Sequence, residues 1–272
     1  MKKVELTVRD SGIATITLDN SKKRNVLSED VIIELDQVVS DVKVMGNKVK
    51  VLIICSKYPE FFSAGGDIKD WYSYDKITAY EKGLRGGQVF QEIEKLPFLT
   101  IAAISGSCLG GGNELALACD YRIATHDSQF GQPEVLLGNG LAWGGYYRLV
   151  KTVGLSKAKE LILLGNTVSA TEALNIGLIN KVVSDWDELN KTVYEIAETA
   201  CINSETIAIS KHILNELGNH LLPNNSLIDA LSASYFAETP ASNRRKKAFL
   251  EKRLQEQIEL EKKYIRKKEW ML

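Results

Sequence analysis

The sequence predicts an α/β core followed by a helical C-terminal region. Through roughly the first two thirds, short apolar or alternating runs give way repeatedly to runs of helical period, as strand–helix units do. From residue 185 onward the period is almost purely helical. Two glycine-rich turns, at 63–68 and 110–112, each fall between an apolar strand and a following helix. At 272 residues the chain is long enough to bury a sizeable core. Its 34 basic and 35 acidic residues leave a net charge of −1, which argues against a general nucleic-acid or membrane-surface binder.

Residues 4–8 and 13–18 alternate about Asp10, Ser11 and Gly12, a hairpin signal. After a basic loop, Ser28 is the expected N-cap of a helix. Its Val31, Leu35, Val38, Val39 and Val42 recur at helical spacing behind Glu29 and Asp30. A buried strand over 49–55 runs into SAGGDI at 63–68. Those glycines can present a backbone N–H, although taken alone a tight strand-to-helix connection is the favoured explanation. Residues 70–87 mix aromatics, charges and late glycines without a clean period, which predicts a mobile helical segment over a site.

The densest chemistry lies at 101–134. A strand over 100–104 meets Gly110, Gly111 and Gly112, a helix of strong formers follows over 114–119, and a second strand spans 121–125. The glycines allow close backbone approach to a bound group, and the helix directs free N–H groups and its dipole at the same point. Glu114 sits in the first turn and Glu134 follows a Gly-Gln-Pro turn. Two acids beside an anion-stabilising turn suit general acid–base chemistry on a substrate that develops negative oxygen charge. A dipole partner is the competing reading of a first-turn glutamate.

Beyond this stretch a glycine-punctuated loop leads to a short helix, and another helix is expected over 156–164. A capping box at 169–172 opens a further one, closed by Gly177, before a strand over 178–183. Helices then cover 185–201, 204–217, 226–238 and 241–268, with Gly218 and Pro223 as breaks. The expected division is a core over 1–200 and a helical region over 201–272. Cys55, Cys108, Cys119 and Cys201 form no CxxC pair and read as reduced, mostly buried thiols. His126, His212 and His220 lack ligand-like spacing, so no metal site is expected. The first residues do not read as a signal peptide and no apolar run reaches the ~18 residues of a membrane span, so a cytoplasmic protein is expected, or a matrix protein without its leader.

Taken together, SAGGDI, GGGNELALACDYRIA, FGQPE and the late KAFLEKR resemble the enoyl-CoA hydratase/isomerase (crotonase) superfamily, in order and spacing, to about residue 255. The resemblance implies a spiral of ββα units forming two nearly perpendicular sheets, with C-terminal helices that build homotrimers, often stacked into hexamers. It implies an enoyl-CoA hydratase, adding water reversibly to a 2-enoyl-CoA thioester through an enolate. The acyl-CoA is then the partner, with no nucleic acid or membrane, and no cofactor is needed because coenzyme A belongs to the substrate. By the same resemblance the N–H groups of Ala64 and Gly111 form an oxyanion hole, and Glu114 and Glu134 are the two hydratase glutamates. Arg24 and Val26 border the CoA, while Gly66, Asp67 and Ile68 line the nucleotide side of the cleft. Phe249 and Lys252, expected three apart on one helix face, reach a neighbouring subunit's CoA. One departure is GNGLAWGG at 138–145, where the family carries a proline. Trp143 in that loop is expected to limit the acyl pocket, favouring short or compact chains. Another is the basic tail past residue 255. The alternatives are an isomerase, decarboxylase or hydrolase of the same superfamily, or a non-catalytic acyl-CoA- or RNA-binding protein. Retention of both glutamates favours hydration.

Overall fold

The computed structural model describes residues 2–221 and 226–269; the expected break at Pro223 lies outside the described residues. Ten strands are present among the described residues: β1 (Val4–Val8), β2 (Ile13–Leu18), β3 (Val51–Ser56), β4 (Phe61–Ser63), β5 (Leu99–Ile104), β6 (Ser107–Leu109), β7 (Tyr121–Thr125), β8 (Gln129–Gly131), β9 (Thr167–Ser169) and β10 (Lys181–Val183). They form a six-stranded sheet, β1-β2-β3-β5-β7-β10, and a four-stranded sheet, β4-β6-β8-β9. Only β1–β2 and β8–β9 pair antiparallel.

The first helices are α1 (Glu29–Met45), α2 (Ile68–Ser73), α3 (Lys76–Glu94), α4 (Gly111–Leu117), α5 (Gly145–Leu164) and α6 (Ala170–Asn175). They are followed by α7 (Trp186–Ile202), α8 (Ser204–Leu221), α9 (Ser226–Ala237), α10 (Pro240–Leu250) and α11 (Leu254–Glu269). One unit recurs: a strand of the large sheet, a three-residue strand of the small sheet, then a helix. It runs β3-β4-α2, β5-β6-α4, and β7-β8 with the 3-10 turn Pro133–Leu137. This is the ββα spiral that the motifs implied.

The large sheet is covered on both faces, which is why its parallel strands read as unbroken apolar runs. Ile13, Val51, Ile53, Ile101 and Ile123 pack under α7 with Leu189, Val193 and Ala197. Their alternate neighbours Ile16, Leu52, Ile54, Ala102 and Ile104 join the main core with Leu35, Val38 and Phe90.

Several elements differ from the sequence expectation. Helix α4 starts three residues early, because the Glu114 N–H already donates to the Gly110 carbonyl at 3.0 Å. The glycines before residue 88 serve close packing inside a continuous α3: a Cβ on Gly83 would lie 3.3 Å from Ala230 Cα, and one on Gly86 2.3 Å from Trp143 Nε1. Ser28 N-caps α1 by position, but its hydroxyl bonds to the Asp30 carboxylate and not to a helix N–H. The long helix expected over 241–268 is broken. Helix α10 ends at Leu250, Lys252 takes φ +59°, and α11 begins at Leu254. Phe249 and Lys252 therefore do not share a helix face. Helix α9 packs along α3, and α10 lies against α2 and the Pro133–Leu137 turn, so the C-terminal helices adjoin the middle of the chain. All four cysteines are free thiols, Cys108 and Cys119 fully buried. No helix among the described residues is long and apolar enough to cross a membrane.

Candidate active site

The two glycine turns meet at a cavity of about 90 Å³, with Glu114 and Glu134 in its wall. The first turn is held by the loop before α1. Asn25, buried at φ +50°, donates through its amide to Ser56 Oγ (2.8 Å) and the Phe62 carbonyl (3.1 Å), and its Oδ1 accepts the Asn20 N–H (2.8 Å). Ser63 Oγ donates to the Asn25 carbonyl (2.7 Å) and accepts the Gly65 N–H (3.1 Å). Leu27 N–H donates to the Gly65 carbonyl at 2.8 Å. A loop with no regular structure is thus fixed by satisfied buried polar groups.

That fixing decides which amide is available. Ala64 N–H donates to the Arg24 carbonyl at 3.0 Å, so the expected oxyanion donor is already engaged. Gly66 N–H has no acceptor among the described residues. In the second turn Gly110 N–H donates to the Gly131 carbonyl (3.0 Å), while Gly111, at the first position of α4, has no intrahelical acceptor. A Cβ on Gly111 would lie 3.4 Å from Gly66 N, so the two free amides are neighbours. The available pair is Gly66 and Gly111, which corrects Ala64 and Gly111. Gly65 makes the crossing possible: it has φ +92°, and a Cβ there would sit 2.8 Å from the Leu109 carbonyl oxygen.

Glu114 is 2 % exposed, and its Oε1 accepts the N–H groups of Trp143 and Gly145, each at 2.9 Å. Burial pushes its carboxyl up to about 6, against the opposing pull of those N–H groups and of Arg148. Glu134 is pushed well above the ordinary range by burial and then by the charge on Glu114. With its amide nitrogen turned toward Glu134, buried Gln132 donates to Glu134 Oε1 (3.2 Å) and to the Gly110 carbonyl (3.3 Å). A third acid comes from α9. Asp229 is buried, accepts the Gly144 N–H, and is pushed up to about 7 by burial and by Glu114. Arg148 closes the arrangement, donating from Nη1 to the Trp143 carbonyl (2.8 Å) and from Nε to Glu94 (3.1 Å). The turn at 143–145 is thereby gripped by two acids remote in sequence, Glu114 and Asp229, and by Arg148 from the helix that the turn opens.

Trp143 is both core and cavity wall. Its ring lies 5.6 Å from Phe90 and 6.0 Å from Trp71, and Nε1 reaches the Lys82 carbonyl at 3.4 Å. A Cβ on Gly111 would fall 2.3 Å from its Cζ3, so the indole lies against the free amide pair.

Ala64, Gly66, Ile68, Gly111 and Trp143 reach the wall as expected; Arg24, Val26, Asp67, Phe249 and Lys252 do not. Arg24 contributes its carbonyl to Ala64, and Val26 is half-buried in the supporting loop. Asp67 caps α2 through the Lys69 N–H (3.0 Å) and pairs with Lys23 (2.6 Å). Phe249 and Lys252 are exposed around the α10–α11 break. Residues absent from the sequence reading are Asn25, Ser63, Gln132, Arg148, Asp229 and Lys246. The visible signal for Asp229 is a lone acid in the apolar run SLIDALSASYFA.

Residues 8–257 match the family profile for enoyl-CoA hydratase/isomerase. The chain is 35% identical over 246 residues to crotonyl-CoA hydratase of Syntrophomonas wolfei, covering 90% of this chain and 94% of that protein. It is 37% identical over 208 residues to short-chain-enoyl-CoA hydratase of Clostridium acetobutylicum, covering 76% and 79%. Among solved structures, an enoyl-CoA hydratase/isomerase from Xanthobacter autotrophicus superposes with a TM-score of 0.85 at 29% identity, covering 95% and 97%.

Proposed function

The chain belongs to the enoyl-CoA hydratase/isomerase family, and from that premise we propose that it adds water reversibly across the double bond of a 2-enoyl-CoA thioester. The observation that carries the reading is the meeting of two free amides, Gly66 and Gly111, with two carboxylates, Glu114 and Glu134, in the wall of one cavity.

The thioester carbonyl oxygen accepts from both amides. When water attacks the β-carbon, electrons move to that oxygen as an enolate, and fixed donors stabilise it without reorganising. Glu114, whose ionised form is favoured by the N–H groups of Trp143 and Gly145, takes the proton from the attacking water. Glu134 holds its proton to higher pH and delivers it to the α-carbon as the enolate collapses. Glu134 is left ionised and Glu114 protonated, and exchange with solvent restores both. The CoA moiety supplies remote binding energy that positions the acyl group.

Two further parts of the reading concern setting. Helix α8 leaves Ile209, Ile213, Leu214 and Leu217 exposed at helical spacing, which supports a homotrimer or hexamer formed through the C-terminal helices. Sedimentation at micromolar concentration tests it, and an active monomer would contradict it. A cytoplasmic location is proposed with the enzyme.

The test of activity is loss of the conjugated enoyl-thioester absorbance of crotonyl-CoA, with a product heavier by one water. Tight binding with no absorbance change would instead favour a binding protein or another reaction of the family.

A further inference from the structure

One wall residue has no part in this chemistry. Lys246, on α10, lines the cavity and is 1 % exposed, yet its charge has no ion-pair partner among the described residues. Its Nζ makes one bond, to the Trp71 carbonyl at 3.3 Å, and no carboxylate among the described residues lies within ion-pair distance. An ammonium carries three donors, so two remain unused in a place where an unpaired charge is costly. Asn139, on the same wall, has its Oδ1 occupied by Ser242 Oγ (3.3 Å), and no acceptor among the described residues takes its amide N–H.

Neither glutamate compensates this charge. Burial alone moves the ammonium, down to about 8, and no carboxylate raises it. It remains mostly charged at neutral pH. A buried cation and an amide, both with N–H donors left unused and both lining the cavity with Trp71, form a receptor for an anion.

Resting on the hydratase reading, we propose that Lys246, with Asn139, selects an acyl group that carries a carboxylate at its end remote from the thioester. The acceptors the cavity lacks are then supplied by substrate. A charge-assisted bond forms at Lys246 and the second carboxylate oxygen takes the Asn139 N–H. The cavity of about 90 Å³, lined by Trp71 and Trp143, suits a compact chain. Lys246 is a specificity-determining residue in this account, with no role in proton transfer.

Two substrates of equal length test it: the CoA thioester of 2-pentenedioic acid, with a terminal carboxylate, and 2-pentenoyl-CoA, with a methyl. The wild type should favour the first in kcat/KM by at least about tenfold, because a site built for a polar group penalises the analogue lacking it. Lys246→Met should lower that ratio by roughly tenfold to a hundredfold, and Lys246→Arg should retain most of it. A wild-type ratio below one overturns the proposal, as does the same ratio in folded Lys246→Met. If neither compound is hydrated, the hydratase reading fails first. Competition binding of pentanedioyl-CoA against pentanoyl-CoA to the wild type then decides the inference separately: tighter binding of the dicarboxylate upholds it, and equal binding ends it.

Discussion

The turns at Ala64–Gly66 and Gly110–Gly111 look alike in sequence and differ in construction. Each follows a three-residue strand of the small sheet and leaves one backbone amide free at the cavity. The second opens α4, so its free amide is a consequence of helix geometry, and the same helix carries Glu114. The first has no such geometry at Gly66. There the flanking amides are engaged one by one, Ala64 by Arg24 and Gly65 by Ser63, and the loop is pinned by Asn25. An oxyanion-type donor can thus be made by a helix end or by exhausting the neighbours' hydrogen bonds. Only the first kind is visible from a run of glycines.

The largest effects should come from the acids that join the second turn to the chemistry. Glu134→Gln and Glu114→Gln are each expected to leave acyl-CoA binding nearly intact and to lower kcat by at least about a hundredfold, the scale of a lost general acid or base. Near-normal turnover would remove Glu114 from water activation, or Glu134 from proton delivery to the α-carbon.

Next come the glycines themselves. Gly111→Ala sets a Cβ 2.3 Å from the Trp143 ring, whereas Gly66→Ala meets the Trp71 Nε1 at 2.8 Å and Trp143 only at 3.5 Å. Gly111→Ala should cost roughly a hundredfold or more in kcat/KM by displacing its donor. Gly66→Ala should cost less, since its overlap is smaller and Trp71 is only partly buried whereas Trp143 is held in the core. The reverse order would mean that the pinned loop, and not the helix start, is the less tolerant turn.

Asn25→Ala sharpens the comparison by loosening only the first turn. It strands the Ser56, Phe62 and Asn20 groups that the side chain now satisfies, and should destabilise the fold by about 2–4 kcal/mol. Chemical denaturation measures this, and an unchanged midpoint would show that the loop does not depend on Asn25.

A smaller, pH-dependent effect belongs to Asp229. Its ordinary value of 3.8 is raised to about 7 in the fold. The folded chain therefore binds this proton more tightly than the unfolded chain. That contribution is complete below about pH 4 and is lost as pH rises through 7. Asn cannot titrate, so Asp229→Asn should gain stability over wild type by about 2 kcal/mol between pH 5 and 8. A constant difference across that range would contradict the placement of Asp229 beside Glu114.

Smallest is the effect on chain length. Trp143→Ala should shift the ratio of kcat/KM for ten-carbon over four-carbon enoyl-CoA by roughly tenfold, the worth of one or two accommodated methylenes. An unchanged ratio in a folded variant would make the ring core alone.

What the sequence reveals follows the same division. The long strands, α1, α7 and both glutamates are legible because apolar periodicity and glycine turns are local signals. The strands β4, β6, β8 and β9 are not, since three residues cannot display a period. Ala64 is a reasonable expectation from SAGGDI, and the shift to Gly66 depends on the Arg24 carbonyl, which only the fold brings near. Lys246 is hidden for another reason. It shares a buried face with Ser242, one helical turn away, inside a run of charges that reads as a solvated surface.

The central claim is that Gly66 and Gly111, not Ala64, hold the enolate oxygen. Replacing single backbone amides by esters removes one N–H and leaves every side chain in place. Measured as kcat/KM with crotonyl-CoA, the esters at Gly66 and Gly111 should each lose roughly a hundredfold to a thousandfold. The ester at Ala64, which removes only the bond to the Arg24 carbonyl, should lose less than about tenfold. A large loss at Ala64 with little change at Gly66 would contradict the account.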